Sequence, residues 1–255
     1  MHNSFSSVMY REYPPDIMLS GLVDTCWVSE AFTASEERTR ILPDGCVDII
    51  VSAYNTQGMK AFRPYIAGTA TTYIEPSFSG KHKMIGIRFK PGSITAFTKV
   101  PIHAFTDSSV DIALAETLFD DRFCEELQAR EETCRQLRFI NDYLLNKFAV
   151  LYPVDRQVTA TVSLITQTCG TVPVKQLLER VCLCQRQFER RFKASVGVSP
   201  KMFSRIVRFN HTRHQLKAHP RQSLLDTAVD CGYYDHAHLI KDFMMLSGNS
   251  PAVFY

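Results

Sequence analysis

The sequence predicts an α+β chain, with a small N-terminal β-rich (mixed) domain, helices following it, and then an all-α domain of two helix-turn-helix units. Three observations predict this. Short apolar or alternating runs rich in β-branched residues occupy the first hundred residues. Helical spacing of apolar residues replaces them further on. A unit near the C-terminal end then recurs at a fixed offset of 51 residues.

The N-terminal elements come first. Residues 47–52 (VDIIVS) and 84–89 (MIGIRF) have strand character, and Pro43-Asp44-Gly45 and Lys90-Pro91-Gly92 punctuate them as turns. The first of these reads as a hairpin turn. Short strands also fit residues 39–42 and 64–67. After Ser93 the pattern changes. Residues 94–98 fit one helical turn, and 111–119 a short helix. Over 124–150, Leu127, Leu137, Ile140, Leu144, Leu145 and Phe148 recur at largely helical spacing. Tyr152-Pro153 marks the expected boundary, giving domains 1–152 and 153–255.

Beyond it the strand signal fades. Val158, Val162 and Ile165 form one helical stripe that ends near Gly170. Pro173 is expected within a first helical turn, opening a helix over 174–180. A second helix runs over 185–196 and stops at Gly197. Ser199-Pro200 caps and opens a long helix to about Ala218, where Pro220 blocks continuation. The repeat lies across these elements. Phe188, Phe192, Gly197, Ser199, Pro200 and Phe203 correspond to Leu239, Phe243, Gly248, Ser250, Pro251 and Phe254. Leu178 corresponds to Ala228 at an offset of 50, and the missing residue falls in the turn, where length changes are tolerated. The second copy therefore has helices over 224–230 and about 235–246.

The repeat carries the functional expectation. Phe188 and Phe192 lie four apart, as do Leu239 and Phe243, so those faces belong to the core. The opposite faces hold Arg186, Glu189, Arg190 and Lys193 in one copy and His236, His238 and Lys241 in the other. A short helix, a tight turn and an amphipathic second helix with a basic outer face make a helix-turn-helix pattern. Such a second helix fits a major groove. Arginine there forms a bidentate bond to guanine, and lysines and backbone amides hold phosphates. Two units joined by one long helix would occupy successive major-groove segments roughly 34 Å apart.

Bulk properties agree. The net charge is only +3, but from Asp155 onwards 14 Lys and Arg face 7 Asp and Glu, while the preceding part is acidic. A basic segment favours a polyanionic partner. No apolar run of about 18 residues occurs, so no membrane span is expected. The first residues lack the pattern of a secretory signal. The eight cysteines are scattered without a CxxC pair, which suits reduced thiols in a cytoplasmic protein.

The segment Ala228-Val-Asp-Cys-Gly-Tyr-Tyr-Asp-His-Ala-His-Leu-Ile-Lys-Asp-Phe243 through Gly248-Asn-Ser-Pro251 resembles the AraC/XylS family of transcription activators. Cys184-Gln-Arg-Gln-Phe-Glu-Arg-Arg-Phe-Lys193 through Gly197-Val-Ser-Pro200 is similar to the same signature, and Phe203 to Arg208 fits the start of its long helix. The resemblance covers roughly the last hundred residues. It implies Arg186, Glu189 and Arg190 as base readers in the first unit and His236, His238 and Lys241 in the second. It implies a double-stranded DNA operator as partner, with RNA polymerase added where the regulator activates. Ile41-Leu-Pro-Asp-Gly-Cys-Val-Asp-Ile-Ile50 and Ile85-Gly-Ile-Arg-Phe-Lys-Pro-Gly92 resemble a domain found ahead of such units. In this family that domain senses a small-molecule effector, forms a homodimer, or both. Four residues depart from the pattern. Lys241 stands for an arginine, turning a fork into a point charge. Cys184 stands for a capping serine, which weakens the cap. Met244 replaces a lysine, and Glu189 brings a carboxylate that accepts from cytosine N4 or repels other bases.

Plainer readings compete. Arg186, Arg190 and Lys193 also suit a solvated helix face, and His236 and His238 suit helix-end histidines. His211, His214 and His219 share no tight face. Asp44, Asp48 and Glu75 read as turn and surface carboxylates. His2, His82 and His103 include no HxH pair, so no metal or other cofactor is expected. Phe62, Tyr65, Tyr73, Phe78, Phe89 and Trp27 suit core packing better than a pocket lining. An enzyme joined to a DNA-binding tail is the alternative class. It is disfavoured because no nucleophile–base pair or metal cluster is visible.

Overall fold

A computed structural model describes residues 7–56, 59–114, 119–181 and 183–254. Its N-terminal part is a six-stranded antiparallel sheet. The strands are β1 (Ser7–Tyr13), β2 (Val23–Arg38), β3 (Val47–Thr56), β4 (Met59–Ala67), β5 (Ser77–Phe89) and β6 (Ser109–Asp111), in the order β1-β2-β5-β3-β4-β6. Alternation sorts the side chains onto two faces. Cys26 and Val28 of β2, Ile49 and Val51 of β3, and Ile85, Ile87 and Phe89 of β5 enter one core. Val23 enters it too, although it lies three residues from Cys26. A register shift between Val23 and Thr25 against β5 adds the extra residue that restores the face.

The sheet core is closed by 3₁₀ turns and two helices, α1 (Asp121–Gln128) and α2 (Thr133–Asn146). Phe123, Leu127, Ile140 and Leu144 are buried there. The apolar stripe expected over 124–150 is thus split between two helices that pack on each other. Asp120 caps α1 by accepting from the Phe123 N–H at 2.8 Å. Three local expectations fail. Residues 39–42 are not a strand, and only Ile41 bridges to Ile74. Pro43-Asp44-Gly45 is no hairpin turn. It precedes β3, with Asp44 accepting from the Cys46 N–H at 2.8 Å. In the stretch expected to be a helix over 111–119, Ile112–Leu114 is a single 3₁₀ turn, and 115–118 lie outside the described residues. Proximity to β6, which ends at Asp111, wins over the local helical spacing.

The C-terminal part is all helix: α3 (Arg156–Gln167), α4 (Val174–Arg180), α5 (Gln185–Val196), α6 (Pro200–Ala218), α7 (Leu224–Asp230) and α8 (His236–Ser247), then a 3₁₀ turn at Pro251–Phe254. Pro173 occupies the N-cap of α4 rather than its first turn, with extended backbone. Ser199 caps α6 through the Met202 N–H, and Pro200 opens it. Two cores share the α6 rod. Phe188, Phe192 and Phe203 join α3, α4 and α5 in one. Ile206, Phe209 and Leu216 join Leu239, Phe243 and Leu246 in the other. The aromatic contacts mirror the repeat. Phe192 meets Phe203 at 5.9 Å and Phe243 meets Phe254 at 5.5 Å, each pair joining corresponding positions.

Candidate nucleic-acid interface

The second helices of the two units, α5 and α8, are positioned by what they bury. In α5, Phe188, Phe192 and Val196 face the core. In α8, Leu239, Phe243 and Leu246 do so. The opposite faces are open. Arg186, Glu189, Arg190 and Lys193 on α5 are exposed, as are His236, His238 and Lys241 on α8. Among the described residues no ion pair engages Arg186, Arg190, Lys193 or Lys241. Glu189 accepts from the Gln185 side-chain amide at 2.9 Å, which occupies one of its oxygens. The His238 ring meets Tyr233 edge-on at 5.3 Å, and the His238 N–H is taken by Asp235, the N-cap of α8. The corresponding cap of α5 is empty-handed: Cys184 makes no side-chain capping bond. Met244, in the place of a lysine, is half-exposed on α8.

Other charged residues of these helices serve the frame. Arg191 of α5 turns away from the open face and donates to Asp155, the N-cap of α3, at 2.7 Å. Burial pushes the Asp155 carboxyl up. The Arg191 bond and the backbone N–H groups of Val158 and Gln157 outweigh it, and the carboxyl sits below its ordinary range. Two arginines of α6 that attracted no notice in the sequence hold the units together. Arg205 forks onto Asp242 of α8 at 3.1 and 2.6 Å, and Asp242 is fully buried. Arg208 donates to Gly170 O at the end of α3 and to Gly232 O in the turn of the second unit, with Tyr233 under its guanidinium. A signal was available: two arginines three apart, interleaved with the buried Phe203, Ile206 and Phe209 of α6.

The outward face of the sheet carries a separate ionic cluster. Arg88 lies between Asp44, Asp48 and Glu12 at 3.3, 3.3 and 3.5 Å. Asp48 is therefore no surface carboxylate. It also accepts from the Trp27 indole N–H at 3.4 Å. Burial raises its carboxyl against the pull of Arg88, and Asp44 raises it further. Glu75 pairs with Arg40 at 2.6 Å. Of the aromatic residues singled out, Phe89 is core, Trp27 lies on the backbone of Gly86, and Tyr73 lies under Arg40. The side chains of Phe62 and Phe78 lie outside the described ones. Among the described residues no three His, Cys, Asp or Glu groups are placed to hold a metal ion, and no helix is long and apolar enough to cross a membrane.

Comparison with known proteins places the parts of the chain. Residues 177–255 match a family model described as a helix-turn-helix domain, and residues 11–111 match a domain of unknown function, DUF6597. The C-terminal segment is thus a helix-turn-helix DNA-binding domain. An uncharacterized HTH-type transcriptional regulator of Haemophilus influenzae is 31% identical over 94 residues, which is 37% of this chain and 31% of that protein. The chain is also similar to the ToxT structure of Vibrio cholerae, at 8% identity, 97% coverage of each chain and a TM-score of 0.45. A probable AraC family transcriptional regulator from Rhodopseudomonas palustris is 20% identical over 39% of this chain and 94% of its own, with a TM-score of 0.36.

Proposed function

We propose that this protein is a sequence-specific transcription regulator that lays α5 and α8 into successive major-groove segments of an operator. Arg186, Glu189 and Arg190 read base edges in one segment, and His236, His238 and Lys241 do so in the next. Lys193 holds a phosphate. The division falls near residue 152. Leu144 and Leu151 pack with the sheet core, whereas Val158 onwards packs with the helix-turn-helix core. The N-terminal domain controls the DNA-binding one, through a small-molecule effector or through dimerisation. RNA polymerase is the further partner if control is activation.

The observation that carries this reading is the pairing of two like-built units on one rod, each turning an exposed cation-bearing face away from its aromatic core. It is tested with the full chain and duplexes selected from a random-sequence pool. Arg186→Glu with Arg190→Glu abolishes the gel shift of the selected duplex. Affinity that stays at the wild-type level at moderate salt defeats the reading.

A further inference from the structure

The last turn of any helix leaves carbonyls without partners inside the helix. In both recognition helices those carbonyls are taken by side chains of the sheet domain. At the end of α5, Val196 O accepts from the Thr69 hydroxyl at 2.6 Å and Gly197 O from the Thr106 hydroxyl at 2.8 Å. At the end of α8, Met245 O accepts from the Thr72 hydroxyl at 2.8 Å and Ser247 O from Arg40 Nη1 at 2.7 Å. Val196 and Ser247 are equivalent positions of the 51-residue repeat. The same carbonyl in each unit is therefore gripped from outside.

The glycines that end the helices report the same closeness. Gly197 (φ 94°) and Gly248 (φ 68°) hold left-handed backbone, and a Cβ on either would approach Thr69 Oγ1 to 2.8 Å or Tyr73 Cε1 to 2.6 Å. One short loop between β4 and β5, residues 68–76, thus reaches both helix ends. It is itself pinned. Thr71 donates through its N–H and its hydroxyl to Asp107 at 2.6 and 2.7 Å, and Ile74 bridges to Ile41. Arg40 is held by Glu75 at 2.8 and 2.6 Å and lies over the Tyr73 ring.

We infer that this loop, together with Arg40 held on it, is a caliper: Thr69, Thr72 and Arg40 are positioning residues that fix the phase of α5 relative to α8 and so select the spacing of the two half-sites bound. The inference rests on the reading of α5 and α8 as groove helices. One inserted base pair shifts a half-site by about 3.4 Å along the axis. It also rotates that half-site by about 35°, from 10–10.5 base pairs per turn. A pair of helices held at both ends cannot follow such a shift, whereas a pair joined only through α6 has more freedom.

The test uses the full chain and a duplex selected by it from a random-sequence pool, remade with one base pair added or removed between the half-sites. Wild type loses roughly tenfold in affinity on either change, the scale of one mismatched pair. Thr69→Val with Thr72→Val keeps the shape and removes one of the two outside donors at each helix end, leaving Thr106 and Arg40. It binds the parent duplex more weakly and loses less than about threefold on the spacing change, below the scale of a single mismatch. Thr69→Ser with Thr72→Ser, which restores the donors, returns wild-type spacing discrimination, so a general loss of folding cannot mimic the result. Spacing discrimination unchanged in the valine variant overturns the caliper, and so does tighter binding of the parent duplex by that variant. A pool from which wild type enriches no sequence sinks the reading of α5 and α8 instead, a failure distinguishable from the other two.

Discussion

Replacing Arg205 by Met removes the partner of a carboxylate that has nowhere else to turn. The Asp242 side chain is 1% exposed, and its Oδ1 accepts both bonds of the Arg205 fork. Its Oδ2 has no hydrogen-bond partner among the described residues. Breaking a buried pair by removing one member costs about 3–5 kcal/mol, because the remaining charge stays desolvated. Arg205 itself is about a quarter exposed, which lets water reach the gap, so the lower end applies: about 3 kcal/mol. For a chain of this length that corresponds to a fall in Tm of roughly 6–12 °C. Thermal melting followed by far-UV circular dichroism measures it. The double replacement Arg205→Met with Asp242→Leu substitutes apolar groups for both charges and recovers most of the loss. A single variant within about 1 kcal/mol of wild type refutes the reasoning, since the pair would then behave as an exposed one. A double variant whose cost equals the sum of the two singles refutes it as well.

Other outcomes follow from the same geometry. Cys184→Ser supplies the missing acceptor at the N-cap of α5, where the backbone is already extended, and raises the stability of the first unit by about 1 kcal/mol in urea unfolding. The Asp155 carboxyl is held below its ordinary range, so its stabilisation is complete above the unfolded value near 3.9 and is lost as pH falls through the folded one. The stability gap between wild type and Asp155→Asn therefore narrows on acidification below about pH 4, and a gap that widens there contradicts the assignment. In gel shifts, Arg186→Glu with Arg190→Glu removes binding, while the valine replacements at Thr69 and Thr72 alter the spacing preference.

The sequence by itself determined the double unit. Its code is local: aromatic residues four apart, a terminating glycine and a Ser-Pro cap fall within one helix and its next turn, and a second copy confirms each position. The limits of α5 and α6 and the exposure of the basic faces followed from that spacing. The sheet domain was less legible. β3, β4 and β5 were read shorter than they are, and β1, β2 and β6 were not read as strands; β2 pairs at long range, and its register shift breaks the alternation that pattern reading relies on. Tertiary structure alone decided which charges work in pairs. Asp48 looked like a surface carboxylate until β5 brought Arg88 beside it. Arg205 and Arg208 acquire their roles only where α8 and two turns bring Asp242, Gly170 O and Gly232 O to them. The grip of Thr69, Thr72 and Arg40 on the recognition helices joins residues more than 120 positions apart. A hydroxyl finding an unpaired carbonyl at that separation leaves no periodic trace in the chain, because the match is made by the packing of whole domains.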